Sequence, residues 1–355
     1  MKILITGNMG YVGPSVVQRL RQSYPAAEIF GLDTGYFAGC LAGPEIFPEC
    51  RVDVQYFMDV RRVSPKLLGD VDVVVHLAAI SNDPMGGAFE EATFDINYRA
   101  SVELARKAKE VGVGTFVFAS SCSVYGGSDG TARTEESLVD PLTAYAKSKV
   151  RTEEGLASLA DATFKVTSLR FATACGMSER LRLDLVLNDF VASAVASKRI
   201  TILSDGTPWR PLIHVKDMAK AIDWAIGRDA DAGGEFLAIN VGSDAWNYQV
   251  KELAQAVASA IPGVEISISE KAAPDRRSYR VSFELFKRLA PHHQPDYDLA
   301  ATIAELERGL RRMRFRDRNF RDSSYIRLNV LSDLQKRGLL TKDLYWTFQR
   351  QNLEP

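Results

Sequence analysis

Thr6-Gly7-Asn8-Met9-Gly10-Tyr11-Val12-Gly13, directly behind the apolar stretch Ile3-Leu4-Ile5, decides the fold of this 355-residue chain. Three glycines spaced three apart, entered from a short apolar strand and left into a helical pattern over 14–23, form a turn suited to a dinucleotide pyrophosphate. Gly7 permits the tight turn, Gly10 lets the backbone approach the phosphates, and Gly13 lets the helix pack closely on the sheet. The helix start, with Tyr11 and Val12 beside it, offers unpaired N–H groups and the positive end of the helix dipole.

Asp33 lies twenty residues after Gly13, at the end of a second predicted strand over 29–33. A carboxylate there accepts hydrogen bonds from the adenosine ribose and repels a 2′-phosphate. Since Thr34-Gly35-Tyr36 follows without a nearby Arg or Lys, the pattern predicts NAD rather than NADP. Asp59-Val60, after the third strand, reads either as an adenine contact or as a turn aspartate. Leu77-Ala78-Ala79 closes strand four in a form that lets the backbone lie against the cofactor.

Apolar runs over 71–77, 115–120 and 166–171 alternate with helical stretches over 89–111 and 143–159. Runs apolar on both faces imply a parallel sheet covered by helices. The expected fold is α/β: a doubly wound parallel Rossmann sheet with a smaller C-terminal α/β substrate domain. Residues 1–172 form the expected NAD-binding domain, with a segment near 211–243 returning to it. Residues 173–355 form the substrate domain, ending in a helical extension over 299–312 and 323–337.

Composition narrows the partners. With 44 Lys+Arg against 45 Asp+Glu, the chain as a whole has no field favouring nucleic acid or an anionic membrane, so a small ligand is expected. Cys40, Cys50, Cys122 and Cys175 show neither Cys-x-x-Cys spacing nor a neighbouring histidine, which predicts no metal site, no disulfide framework and a cytoplasmic location. Met1-Lys2 leads straight into the first strand, too briefly for a signal-peptide core or membrane span.

Tyr145 and Lys149 sit four apart on a predicted helix, which brings their Cβ atoms to roughly 5–6 Å. A phenol titrates near ~10, and a neighbouring ammonium together with a cationic nicotinamide favours the phenolate. Strand five ends Ser120-Ser121-Cys122-Ser123-Val124-Tyr125-Gly126 at the carboxyl edge of the sheet, where Ser121 is placed to hold a substrate oxygen.

These motifs together resemble the extended short-chain dehydrogenase/reductase family, in its sugar-nucleotide epimerase/dehydratase branch typified by UDP-glucose 4-epimerase-like enzymes. The resemblance rests on T-G-x-x-G-x-x-G, S-S-x-x-V-Y-G, Y-x-x-x-K, Arg170-Phe171 and Ile213-His214-Val215-Lys216-Asp217. It implies Tyr145 as catalytic base, Lys149 as the group that lowers its pKa and holds the nicotinamide ribose, and Ser121 as the hydrogen-bond partner of the oxidised sugar oxygen. It further implies Ser123 and Thr173 at the sugar nucleotide, and Arg210 with Arg276, or the adjacent Arg277, on its diphosphate. Two departures stand out. Dehydratases of the family carry an acidic pair where this chain has Cys122 and Ser123, which disfavours elimination of water. Many relatives place Asn where Thr173 stands.

The activity implied is NAD-dependent epimerisation of a nucleotide-linked hexose through a transient keto-sugar, by a homodimer pairing through the helices over 89–111 and 143–159. A keto-sugar reductase is the alternative within the family, and a non-catalytic dinucleotide sensor the alternative outside enzymes. Tyr145 and Lys149 together argue against the sensor.

Overall fold

The computed structural model describes residues 1–43, 45–127, 130–269 and 277–349. Seven parallel strands form the central sheet: β1 (Lys2–Thr6), β2 (Glu28–Asp33), β3 (Val54–Phe57), β4 (Val73–His76), β5 (Thr115–Ser121), β6 (Lys165–Phe171) and β7 (Phe236–Val241). Their spatial order is β7-β6-β5-β4-β1-β2-β3. The chain therefore winds outward from β1 in one direction and from β4 in the other. Between these two strands lies the switch point, where crevices open at the carboxyl ends of strands.

Alternation along each strand divides the core between the two sheet faces. Ile3, Ile5, Val75 and Val117 pack on one side with α1 (Gly13–Ser23), while Leu4, Val74, Phe116 and Phe118 pack on the other with α2 (Ala100–Glu110) and α3 (Ala144–Ala157). Both faces being covered, the strands read as the continuous apolar runs seen in the sequence.

Of the segment expected to return to the sheet, Phe236–Val241 does so, pairing in parallel with β6 along its whole length. Trp209–His214 instead forms a separate three-stranded sheet with Thr173–Cys175 and Asn247–Gln249. It leads directly into α4 (Val215–Gly227), whose first turn is capped by the His214 ring accepting from Lys216 N at 3.1 Å.

The stretch over 89–111 is helical but not uniform. Glu90–Phe94 is α-helical, Asp95–Arg99 is a π-helical turn, and α2 follows. Two helices of the extension, α5 (Leu299–Arg312) and α6 (Arg327–Lys336), fold back on the body. Fully buried His214 bonds Glu305 of α5 through Nε2 at 2.6 Å and stacks on Tyr297 at 3.8 Å between centroids. Among the described residues no helix is long and apolar enough to cross a membrane, and no cluster of His, Cys, Asp or Glu is arranged to hold a metal ion.

Candidate cofactor and catalytic site

A cavity of about 930 Å³ opens at the switch point, within the size range of ligand pockets. One end is the glycine turn between β1 and α1. Gly7 has φ +75°, a conformation that favours glycine, and a Cβ there would lie 2.6 Å from the backbone nitrogen of Ala78. At Gly13 a Cβ would come within 2.1 Å of the Asn8 carbonyl oxygen. The turn is thus closed to side chains and leaves its own backbone facing the cavity, beside Gly10, Tyr11, Val12 and Leu77-Ala78-Ala79.

Asp33 lines the same end, accepting hydrogen bonds from Met9 N at 3.1 Å and Gly35 N at 2.8 Å. Burial raises its pKa, against these two bonds and nearby Arg180. The Arg180 guanidinium is held by Glu49 at 2.6 Å and by the carbonyls of Phe37 and Ala38. Asp59 and Val60 line the wall beyond. The Asp59 carboxylate caps the following 3₁₀ turn through Arg61 N and takes a two-pronged bond from the Arg61 side chain, at 3.0 and 2.6 Å.

Deeper in, α3 begins at Thr143, whose hydroxyl accepts from Ala146 N and donates to Asp83 at 2.6 Å. The helix turns Tyr145 and Lys149 toward the ends of β4 and β5. The Tyr145 phenol lies beside Ser121, and burial pushes its pKa up to about 12. Ser121 and Arg182 act downward on it, whereas Lys149 is not among its principal influences. Lys149 itself is buried, donates to the Ala119 carbonyl at 2.7 Å, and is brought down to about 7 by desolvation. Burial dominates both groups.

The surroundings explain why. Phe118 lies under the Lys149 ammonium at 4.6 Å, and fully buried His76 contributes no charge, being brought down to about 3 by desolvation. Its ring is fixed by the Thr6 hydroxyl at 2.6 Å and the Ser101 hydroxyl at 2.7 Å. Glu153, one turn beyond Lys149, is occupied by Arg170 at 2.6 Å and Ser120 at 2.5 Å.

The residues singled out in the sequence converge here. Ser121, Ser123, Tyr145, Lys149, Thr173 and Arg210 line the cavity with the glycine turn, Asp33, Asp59 and Val60. Ser123 Oγ is buried without a hydrogen-bond partner. Arg276 lies outside the described residues; Arg277 lines the cavity and pairs with Asp83 at 2.7 Å.

Several polar residues escaped the motif reading. Arg182 reaches in from the segment after Thr173–Cys175, held by Asp184 at 2.8 and 3.0 Å and by Ser81 at 2.9 Å. Asn97 sits in the π-helical turn, clamping both backbone polar groups of Ile80 and donating to Ser148 of α3 at 3.1 Å. Asn82-Asp83-Pro84, a cap followed by Pro inside the first turn, was a readable helix start that the sequence reading passed over.

The model of the NAD dependent epimerase/dehydratase family matches residues 3–242, two thirds of the chain and the whole of the site just described apart from the walls given by the C-terminal part. The chain belongs to this family. NAD is accordingly its cofactor, and the side-chain-free glycine turn, Asp33 and the cavity fit a dinucleotide. Among curated relatives, UDP-glucose 4-epimerase of Streptomyces lividans is 28% identical over 269 residues, covering 72% of this chain and 80% of that protein. UDP-glucuronic acid 4-epimerase from Bacillus cereus, solved with UDP-glucuronic acid and NAD, superposes with a TM-score of 0.75 at 22% identity, over 88% of this chain and 100% of that one. The NAD-dependent NDP-hexosamine 5,6-dehydratase TunA superposes at 0.74 and 23% identity, over 90% and 99%. At such identities these structures establish the family fold, which carries both epimerases and dehydratases.

Proposed function

We propose that this chain is an NAD-dependent epimerase of a nucleotide-linked hexose, working through a transient keto-sugar. The observation that carries the reading is Tyr145 beside Ser121 inside one cavity whose other end is the glycine turn and Asp33. A phenol and a hydroxyl side by side can both meet one sugar oxygen, Tyr145 removing its proton while Ser121 donates to it. Bound NAD supplies the acceptor, and later the donor, of hydride.

With its pKa near 12 the phenol keeps its proton at neutral pH, so proton removal depends on positive charge arriving in the cavity. Arg182 is a resident charge acting in that direction. Lys149, anchored on Ala119, would hold the nicotinamide ribose, with Asp33 on the adenosine ribose and Asp59 on adenine. Ser123 and Thr173 face the sugar nucleotide, and Arg210 with Arg277 or Arg276 would grip its diphosphate. Cys122 and Ser123 in place of the dehydratase acids favour inversion over loss of water. The same helices, α2 and α3, provide the contact of a homodimer.

Incubation with a panel of nucleotide hexoses, followed by NMR, tests this. Isomer formation without net change in NADH absorbance, abolished in Tyr145→Phe while NAD binding persists, is the expected result. Steady NADH consumption with a 4-keto sugar would replace the reading by a reductase, and an unchanged cellular effect of Tyr145→Phe by a sensor.

A further inference from the structure

The C-terminal extension ends as a small hook on the adenosine side of the cavity. Leu340 and Trp346 form an antiparallel bridge, closed by Thr341 N on Tyr345 O at 2.8 Å and Leu344 N on Thr341 O at 3.0 Å. At its tip Leu344 is fully buried with φ +59°, a left-handed conformation that costs a non-glycine residue energy and persists only where the surroundings enforce it. That conformation aims its carbonyl oxygen at two donors, the Tyr36 hydroxyl and Arg61 Nη2.

Arg61 is the centre of the contact. Its side chain is 5% exposed, and each of its five N–H bonds has an acceptor. Nε and one Nη2 hydrogen go to Asp59, one Nη1 hydrogen goes to Asp95 at 3.1 Å, and the remaining two go to the hook, Asp343 O at 2.8 Å and Leu344 O at 3.2 Å. The Tyr345 ring covers the guanidinium at 3.5 Å. Beside it Trp346 donates to the Thr34 carbonyl at 2.8 Å and lies against the Tyr36 ring at 5.6 Å. Thr34, Tyr36 and Asp59 all line the cavity. A buried guanidinium keeps one geometry only while all its donors are satisfied, and two of the five depend on the hook.

We infer that the hook is a working part of the cofactor site: through Arg61 it positions Asp59, and through Trp346 and Leu344 it fixes the Thr34–Tyr36 wall, so that the purine is selected from the far end of the chain. Asp59 is an acceptor-only group. Held rigidly, it favours a 6-amino purine over a 6-oxo purine, whose oxygen it would repel. This rests on the placing of adenine beside Asp59 proposed above.

Calorimetric titration of cofactor-free protein with NAD and with nicotinamide hypoxanthine dinucleotide tests it. The intact chain should bind NAD at least tenfold more tightly than the hypoxanthine analogue. The double variant Tyr345→Ala, Trp346→Phe should weaken NAD at least tenfold and bring the ratio of the two affinities close to one. A chain ending at Gly338 should do the same, and should if folding fails be replaced by Leu344→Ala, which removes the buried side chain that holds the tip while keeping its carbonyl and should also lower the ratio. Unchanged NAD affinity and ratio in the double variant would overturn the inference. Equal binding of the two cofactors by the intact chain would instead overturn the placing of adenine at Asp59.

Discussion

Cys122 donates its thiol to the Arg170 carbonyl at 3.0 Å, inside the core, while the residues on either side of it, Ser121 and Ser123, line the cavity. Burial pushes that thiol up, so it stays protonated. The 3₁₀ turn Cys122–Tyr125 that follows β5 sets which of these side chains meet the ligand.

An acid placed at 122 should therefore cost stability without adding dehydratase chemistry. Cys122→Asp is expected to lose about 3 kcal/mol or more in denaturant unfolding, because it buries a carboxylate. Product analysis should show no elimination. Ser123→Asp, whose side chain would enter the cavity wall, should be the better tolerated change.

Lys149 gives a pH signature. Its folded pKa near 7 lies below the ordinary 10.5, so between those values the unfolded chain holds a proton that the folded chain has released. Stability of the cofactor-free protein should rise with pH across this window from this group alone. Below pH 7 both states are charged and the cost of burial remains in full. Thermal unfolding of Lys149→Met against pH should show that rise removed.

Charge at Asp33 should decide between the dinucleotides. Asp33→Asn keeps an oxygen for Gly35 N and loses the charge that opposes a 2′-phosphate. The ratio of NADP to NAD affinity, read by competition titration, should move at least about tenfold toward NADP, a change of ~1.4 kcal/mol.

Glu305 ties α5 to the start of α4. Bonds from His214 and Lys216 hold its carboxyl at about 2, against burial that raises it. Because the folded value lies below the ordinary 4.5, its contribution is complete above pH 4.5 and fades as the pH falls toward 2. Glu305→Gln should lose roughly 1–3 kcal/mol near neutrality and lack that acid-side decline.

Local pattern made β1, the glycine turn, α1 and the Tyr145–Lys149 pair legible, since each is fixed by spacing within a few residues. Asp33 was legible because its distance from the turn is set by one helix and one strand. Arg182 and Asn97 were not. Arg182 gains its place only when the segment after Thr173–Cys175 crosses the pocket mouth to meet Ser81, a hundred residues away. The hook was invisible for the same reason, its contacts with Thr34 and Arg61 spanning about three hundred positions. The dominance of burial over both Lys149 and Tyr145 comes from the packing around them, which no spacing rule reports.

The π-helical turn at Asp95–Arg99 holds one residue more than an α-helix would, and Asn97 lies within it. Deleting a single residue there would let the segment relax into regular helix with both flanks keeping their directions, so that the change falls on the turn itself. Asn97 would leave Ile80, and the loop after β4 would lose its anchor to α3. Among relatives a one-residue difference in the length of this helix should accordingly fall at this turn, and with it the clamp on Ile80.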